Sequence, residues 1–267
     1  MSKIEKGEAI NELESFCNEV AEGIQLPKIQ EKVKSFLDFA AKFWHYSWRN
    51  QWLIHMQRPN ASFCKGYGQW QDLGRYVKAE EKGIRILAPT IVKDKQTKEE
   101  KCVGFREVCV FDLSQTEGEE IPNTVKEIGN DLAPLYAKLT AYALAKGIKV
   151  EEKDLGEMAG GYATREGVAI NSRFEGNSKF TSLVHEIAHY KTHFAENRQD
   201  TPREQKEVEA ELASYMVSAH FGFKSENAMA YMAGWKATPK GVKEAFGKVR
   251  NVAKELIEAL EGQSETD

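Results

Sequence analysis

Apolar residues recur at helical spacing over residues 7–24, where Ile10, Leu13, Phe16, Val20 and Ile24 make one stripe, the pattern of a helix with a single buried face. Pro27 opens a second helical pattern, 28–57, whose stripe is Ile29, Val33, Phe36, Phe39, Ala40 and Phe43 and which Pro59-Asn60 ends. Within it Trp44, Trp48 and Trp52 are each four apart, which predicts three rings along one helix face with Arg49 and Asn50 beside them. A short helix is predicted from Gly68 to Leu73. The period then changes to two: Lys82–Pro89 alternates, and Ile91-Val92, Cys102–Phe105 and Val108–Phe111 read as further strands around a polar tip, Lys93–Lys101. Helices followed by a small antiparallel sheet make this half α+β.

The polar run Ser114–Asn123 contains Pro122 and marks a boundary, so two domains are expected, 1–120 and 121–267. In the second, Thr124–Lys146 is helical in period. Ile148–Glu152, Gly161–Thr164 and Val168–Asn171 are strand-like pieces broken by glycines. Helices are expected over Lys179–Phe194 and, after the polar loop Ala195–Arg203, over Glu204–Phe221, where Gly222 stands at the position of a C-terminal cap. Ser225–Trp235 and Lys240–Glu261 read as two more helices. The whole chain is therefore expected to be α+β with two domains.

Composition adds the setting. Of the 267 residues 41% are hydrophobic and 29% charged, as in a folded soluble protein. No segment has the length and apolarity of a membrane span, and the N-terminus lacks the apolar run of a signal peptide, so a cytoplasmic location without membrane contact is expected. Cys17, Cys64, Cys102 and Cys109 lie far apart without a C-x-x-C pair, which predicts ordinary buried thiols in a reducing compartment and neither a disulfide framework nor a structural zinc site. The net charge of −4 conceals an asymmetry: residues 42–113 hold 13 Lys and Arg against 8 Asp and Glu, and four of the five tryptophans lie there.

The sharpest chemistry is His185-Glu186-Ile187-Ala188-His189. On a helix, positions i and i+4 share a face, so the two imidazoles can bind one zinc ion while Glu186 flanks the open coordination position. A hydrolytic site needs a third protein ligand. The residue six beyond His189 is Ala195, which excludes the three-histidine arrangement, so the choice falls among Glu204, Glu207, Glu209 and Glu211 on the next helix. Glu207 and Glu211 share a face from which Glu209 points away. Glu207 is accordingly expected as the ligand, and Glu211 as the carboxylate that holds a ligand imidazole through its other N–H. His193, one turn past His189, reads as a helix-face residue. With zinc bound, an acidified water would lose its proton to Glu186 and attack a peptide carbonyl. Tyr190, Tyr215 and His220 are the candidates to stabilise that carbonyl, and spacing does not choose among them.

The stretch 44–85 has the composition of a single-stranded nucleic-acid surface, aromatic platforms for bases interleaved with cations for phosphates. Its candidates are Arg49, Asn50, Tyr67, Trp70, Arg75, Lys78, Lys82 and Arg85.

Several motifs resemble one known family. Arg49-Asn50-Gln51, Gln57-Arg58-Pro59, Gly66-Tyr67-x-Gln69-Trp70-x-x-Leu73-Gly74-Arg75, Lys82-Gly83-Ile84-x-Ile86-Leu87-Ala88-Pro89 and Val110–Gly118 are similar to the N-terminal single-stranded-DNA-binding domain of ArdC-type antirestriction proteins. His185–His189 with Glu207 and Ala210-Glu211-Leu212-Ala213 resembles their zincin-like, gluzincin-type metallopeptidase domain, and more distantly ImmA/IrrE-type peptidases. The aromatic run Trp44–Trp52 is heavier than the family pattern. The resemblance implies a zinc-dependent, plasmid- or mobile-element-borne protein that binds single-stranded DNA and protects incoming DNA from host restriction, with a protein substrate or a restriction-system component as a possible partner. The alternative is a regulatory zinc metallopeptidase that cleaves one cytoplasmic protein; a nuclease fits this ligand set less well.

Overall fold

The computed structural model describes residues 8–93, 100–121, 131–157, 159–195, 200–225 and 228–262. The fold is α+β. Main-chain contacts divide it into two compact units, one of Met1–Ala9 with Tyr46–Thr124, the other of Ile10–His45 with Val125–Asp267.

The first two apolar stripes become α1 (Glu8–Gly23) and α2 (Pro27–Lys42). Pro27 occupies the first turn of α2, where its missing N–H costs no hydrogen bond. Phe16 of α1 and Phe36 of α2 are buried and meet the Phe246 ring at centroid separations of 5.8 and 5.4 Å. These faces therefore belong to the core of the second unit.

The second helix stops earlier than its periodicity implies. It ends at Lys42, with the Phe43 N–H bonded to the Phe39 and Ala40 carbonyls, and α3 (Trp48–Gln57) starts anew from Ser47, whose Oγ accepts the Asn50 N–H at 3.3 Å. A serine hydroxyl competes for main-chain N–H groups, which favours a cap over a helix interior. The break corrects the expected ridge of three tryptophans: Trp44 precedes the new helix, and Trp48 and Trp52 are buried.

In the first unit β1 (Cys64–Gly66) leads to α4 (Tyr67–Asp72) and β2 (Arg75–Val77), followed by β3 (Ile84–Lys93), β4 (Glu100–Asp112) and β5 (Thr116–Gly118). One antiparallel sheet has the order β1-β4-β3, with Cys64 opposite Asp112 and Ile84 opposite Val110; β2 and β5 form a separate two-stranded ribbon. Strand β3 is an edge, and α3 covers part of it. The Asn50 amide donates to the Leu87 carbonyl at 2.8 Å and accepts its N–H at 2.9 Å, and Gln57 treats Arg85 the same way at 2.8 and 2.9 Å. These bonds satisfy edge groups that would otherwise face solvent.

In the second unit α5 (Ala133–Ala145) precedes β6 (Lys149–Lys153), β7 (Gly161–Ala163) and β8 (Gly167–Asn171), in the order β6-β8-β7 with β6 parallel and β7 antiparallel to β8. Of the helix expected over Thr124–Lys146, the part before residue 131 lies outside the described residues. Helix α6 (Gly176–His189) packs on β8, α5 and α7 (Arg203–His220), and α7 in turn packs on α2 and α8 (Pro239–Glu261). The helix expected to run on to Phe194 changes into a single π turn, Tyr190–Ala195. Residues Ala228–Gly234 form a 3₁₀ helix, shorter than the expected Ser225–Trp235. Gly222 takes the left-handed φ of 97° that a cap requires, and the Phe223 N–H returns to the Ser218 carbonyl at 2.9 Å. Among the described residues no helix is long and apolar enough to cross a membrane.

Candidate functional site

Helix α6 exists because Phe180, Leu183, Val184, Ile187 and Ala188 give it an apolar face that is buried in the second unit. That orientation leaves His185 and His189 on the side toward α7, where Glu207 and Glu211 stand one turn apart. Nε2 of His185 and Nε2 of His189 are 3.0 Å apart, and Oε2 of Glu207 lies 3.6 and 3.4 Å from them. Ligand atoms bound at zinc distances of about 2.0–2.1 Å are roughly 3.3 Å apart on a tetrahedron and roughly 2.9 Å apart on an octahedron. The triangle thus has the dimensions of one face of a metal coordination sphere, and these three residues form the group among the described residues that could hold an ion. Two imidazoles and a carboxylate suit zinc and neighbouring divalent metals.

Glu211 Oε2 accepts from His185 Nδ1 across 3.1 Å, the arrangement that leaves Nε2 with its lone pair toward the triangle. Burial works against the charged form of His185, but the carboxylates of Glu207 and Glu211 beside it outweigh this and push its pKa up to about 9. The same imidazoles hold Glu207 well below the usual carboxylate range. Glu186, next to His185 in the helix, is 7% exposed. Burial pushes its carboxyl up, opposed by His185 and His189, which moves it toward the range of a general base acting near neutrality. A strand passes against it at a glycine. A Cβ on Gly161 of β7 would lie 2.8 Å from Glu186 Cγ and 2.7 Å from the Ala169 carbonyl, so only glycine lets β7 approach so closely. Asn171, fully buried, holds the preceding loop by donating to the Gly156 and Ala159 carbonyls at 2.8 and 2.7 Å.

His193, read as a helix-face residue, is 2% exposed and sits between His189 and Glu209. Its four-residue separation from His189 was visible, but the π turn that aims it was not. The proposed carbonyl donors Tyr215 and His220 are engaged elsewhere. The Tyr215 hydroxyl donates to Asp38 Oδ1 at 2.6 Å, and His220 contacts the Ala41 carbonyl at 2.9 Å and Glu261 at 2.7 Å. Tyr190 lines a cavity of about 410 Å³ with Lys191, Lys248 and Glu255.

The DNA candidates divide. Trp70 is fully buried and donates its indole N–H to the Phe111 carbonyl at 2.9 Å, so its ring is not a platform for bases. Asn50 is the clip on Leu87 already described. Arg75 directs its guanidinium to Thr116 Oγ1 at 2.8 Å and the Thr116 carbonyl at 3.0 Å, and also to the Gly118 and Glu119 carbonyls, which ties β2 to β5. These three serve the fold because each lies where a main-chain polar group needs a partner. Arg49, Tyr67, Lys78 and Lys82 are exposed, although Lys78 Nζ donates to the Ser114 carbonyl at 3.1 Å, and Arg85 is partly exposed, 3.9 Å from Glu107. Tyr76 and Phe105 also present rings to solvent, at 56% and 62% exposure.

The class defined by this fold and site is an α+β protein in which a His-Glu-x-x-His helix and a glutamate from the next helix form a candidate metal centre. Residues 8–127 match the family model of the N-terminal domain of anti-restriction factor ArdC. Over those residues the chain carries an ArdC-type N-terminal domain. It is 26% identical over 286 residues to the uncharacterized Bacillus anthracis protein pXO2-81, an alignment that covers 86% of this chain and 48% of that protein; the chain thus spans about half the length of this relative. Crystal structures of the antirestriction ArdC protein from R388 plasmid share the fold. The metal-free form has a TM-score of 0.52 at 20% identity, covering 80% of this chain and 84% of that one. The Mn(II)-bound form has a TM-score of 0.50 at 16% identity, covering 80% and 86%.

Proposed function

We propose that this protein is a single-stranded-DNA-binding antirestriction protein of mobile-element origin, whose second unit is a zincin-like, gluzincin-type domain that binds a divalent cation through His185, His189 and Glu207. Zinc is the first choice for this donor set. The observation that carries the reading is the triangle of Nε2, Nε2 and Oε2 at 3.0, 3.4 and 3.6 Å. When bound, such a cation acidifies water and polarises a carbonyl. The chain's own contribution is then defined. Glu207 supplies the negative charge, Glu211 fixes the His185 tautomer, and Glu186 takes up a proton at its carboxylate in a site from which solvent is largely excluded. In the first unit Arg49, Lys78, Lys82 and Arg85 are the cations for phosphates, with Tyr67 as a stacking ring. Fluorescence anisotropy of a labelled oligonucleotide, with the full chain at two salt concentrations, tests the DNA reading. Salt-sensitive binding is expected, and none at low salt sinks it.

A second reading, a regulatory metallopeptidase for one cytoplasmic protein, is favoured by β7. Among the described residues this strand pairs with β8 alone and runs past Glu186 at Gly161, so an extended peptide added to its open side would lie beside the base. Comparing cellular proteomes with wild type and Glu186→Ala tests it: a product that disappears with the substitution supports cleavage, and identical proteomes oppose it.

A further inference from the structure

For His189 to offer Nε2 to a metal, its ring proton must sit on Nδ1. That Nδ1 lies 3.2 Å from Nδ1 of His193. The receiving nitrogen must be bare, so His193 carries its own proton on Nε2, which lies 3.0 Å from Glu209 Oε2. Every link then has one donor and one acceptor, running from the Glu209 carboxylate through His193 to His189. The opposite placement of protons would set two lone pairs against each other at the first link.

The surroundings favour one fixed arrangement. His193 and Glu209 are 2% and 1% exposed. Gln205 donates to the other Glu209 oxygen at 2.8 Å, and the Thr192 hydroxyl, bonded to the Ala188 carbonyl at 2.6 Å, lies 3.1 Å from the His193 ring nitrogens. The π turn Tyr190–Ala195 carries His193, and such turns recur where a helix must re-aim a functional side chain. His185, in contrast, has its carboxylate directly, from Glu211.

We infer that His193 and Glu209 are positioning residues of the metal centre: a neutral imidazole and a buried carboxylate in series fix the tautomer and ring orientation of His189. The inference rests on the metal-binding reading above. Without this relay His189 keeps its place on the helix but loses the partner that holds its Nδ1 proton and sharpens Nε2 as a donor.

The test uses the full chain with Zn²⁺ and Co²⁺ as probes. Zinc affinity is read by competition with a chromogenic chelator, and ligand geometry by the visible absorption of the Co²⁺ form. The paired substitution His193→Leu with Glu209→Met removes both polar partners together, so no unpaired buried carboxylate remains to unfold the protein. It is expected to lower zinc affinity roughly 10–100-fold with unchanged circular dichroism and a shifted Co²⁺ spectrum. Glu209→Gln keeps an oxygen to accept from His193 and is expected to retain affinity within about tenfold of wild type, with a smaller spectral shift. Wild-type affinity and spectrum in the paired variant overturn the inference while leaving the metal centre standing. If the paired variant does not fold, a Co²⁺ spectrum of Glu209→Gln identical to wild type overturns it. A wild-type chain that takes up neither ion overturns the metal reading and this inference with it.

Discussion

In the second unit, polar side chains of α6 and α7 point at one another: His185, His189, Glu207 and Glu211 form a closed set of contacts, with His193 and Glu209 behind it. In the first unit, comparable side chains point at main chain. Asn50, Gln57 and Arg75 satisfy strand carbonyls and N–H groups, and the cations without such duties are spread over the surface. A convergent, largely buried set is organised before any ligand arrives, and its chemistry is defined by a few atoms. A dispersed cationic surface acts through its summed field and through exposed rings, so each residue there carries a small share.

The contrast can be broken or sharpened by experiment. Trp70→Ala should destabilise the first unit by about 3–5 kcal/mol in denaturant unfolding, because it empties a fully buried site. Tyr67→Ala, on the exposed surface, should leave stability within about 0.5 kcal/mol; a large Tyr67 effect would erase the distinction between core and surface aromatics. Zn²⁺ at a thousand times its Kd should stabilise the second unit by about 4 kcal/mol, seen as a raised Tm that a chelator reverses, and His185→Ala should abolish the effect. Glu211→Gln should weaken metal binding about 10–100-fold in a competition assay while the fold is retained.

The pH dependence of metal affinity follows from His185. Its pKa is raised in the metal-free protein from 6.5 to about 9, so its contribution to folding is complete below the unfolded value and is lost as pH rises through about 9. Metal must displace that proton. Affinity should therefore climb roughly tenfold per pH unit from pH 7 and level off above about 9; a flat profile between pH 7 and 8 would contradict the hydrogen-bonded His185. The smallest effect belongs to the first unit: Lys82→Ala should reduce the salt slope of single-strand binding by about 0.7, the share of one phosphate, in anisotropy titrations across salt.

How much of this was legible in sequence differs between the same two regions. Helix geometry alone relates residues three and four apart, so His185, His189, Glu207 and Glu211 could be assigned to shared faces, and the strands 149–153, 161–163 and 167–171 fell close to their expected places. Whether Trp70, Asn50 or Arg75 faces solvent depends on pairing with Phe111, Leu87 and Thr116, 37 to 41 residues away; no local period encodes that. The break between Lys42 and Trp48 and the π turn Tyr190–Ala195 interrupt continuous helical patterns without a glycine or proline to announce them. For the same reason the role of His193 was hidden although its spacing was in view.

The most direct test of the account is metal content. The purified protein, loaded with Zn²⁺ and dialysed, should retain one ion per chain by elemental analysis, while His189→Ala and Glu207→Ala, folded by circular dichroism, should retain almost none. Equal retention in all three proteins, or none in the wild type, would contradict a metal centre at His185, His189 and Glu207.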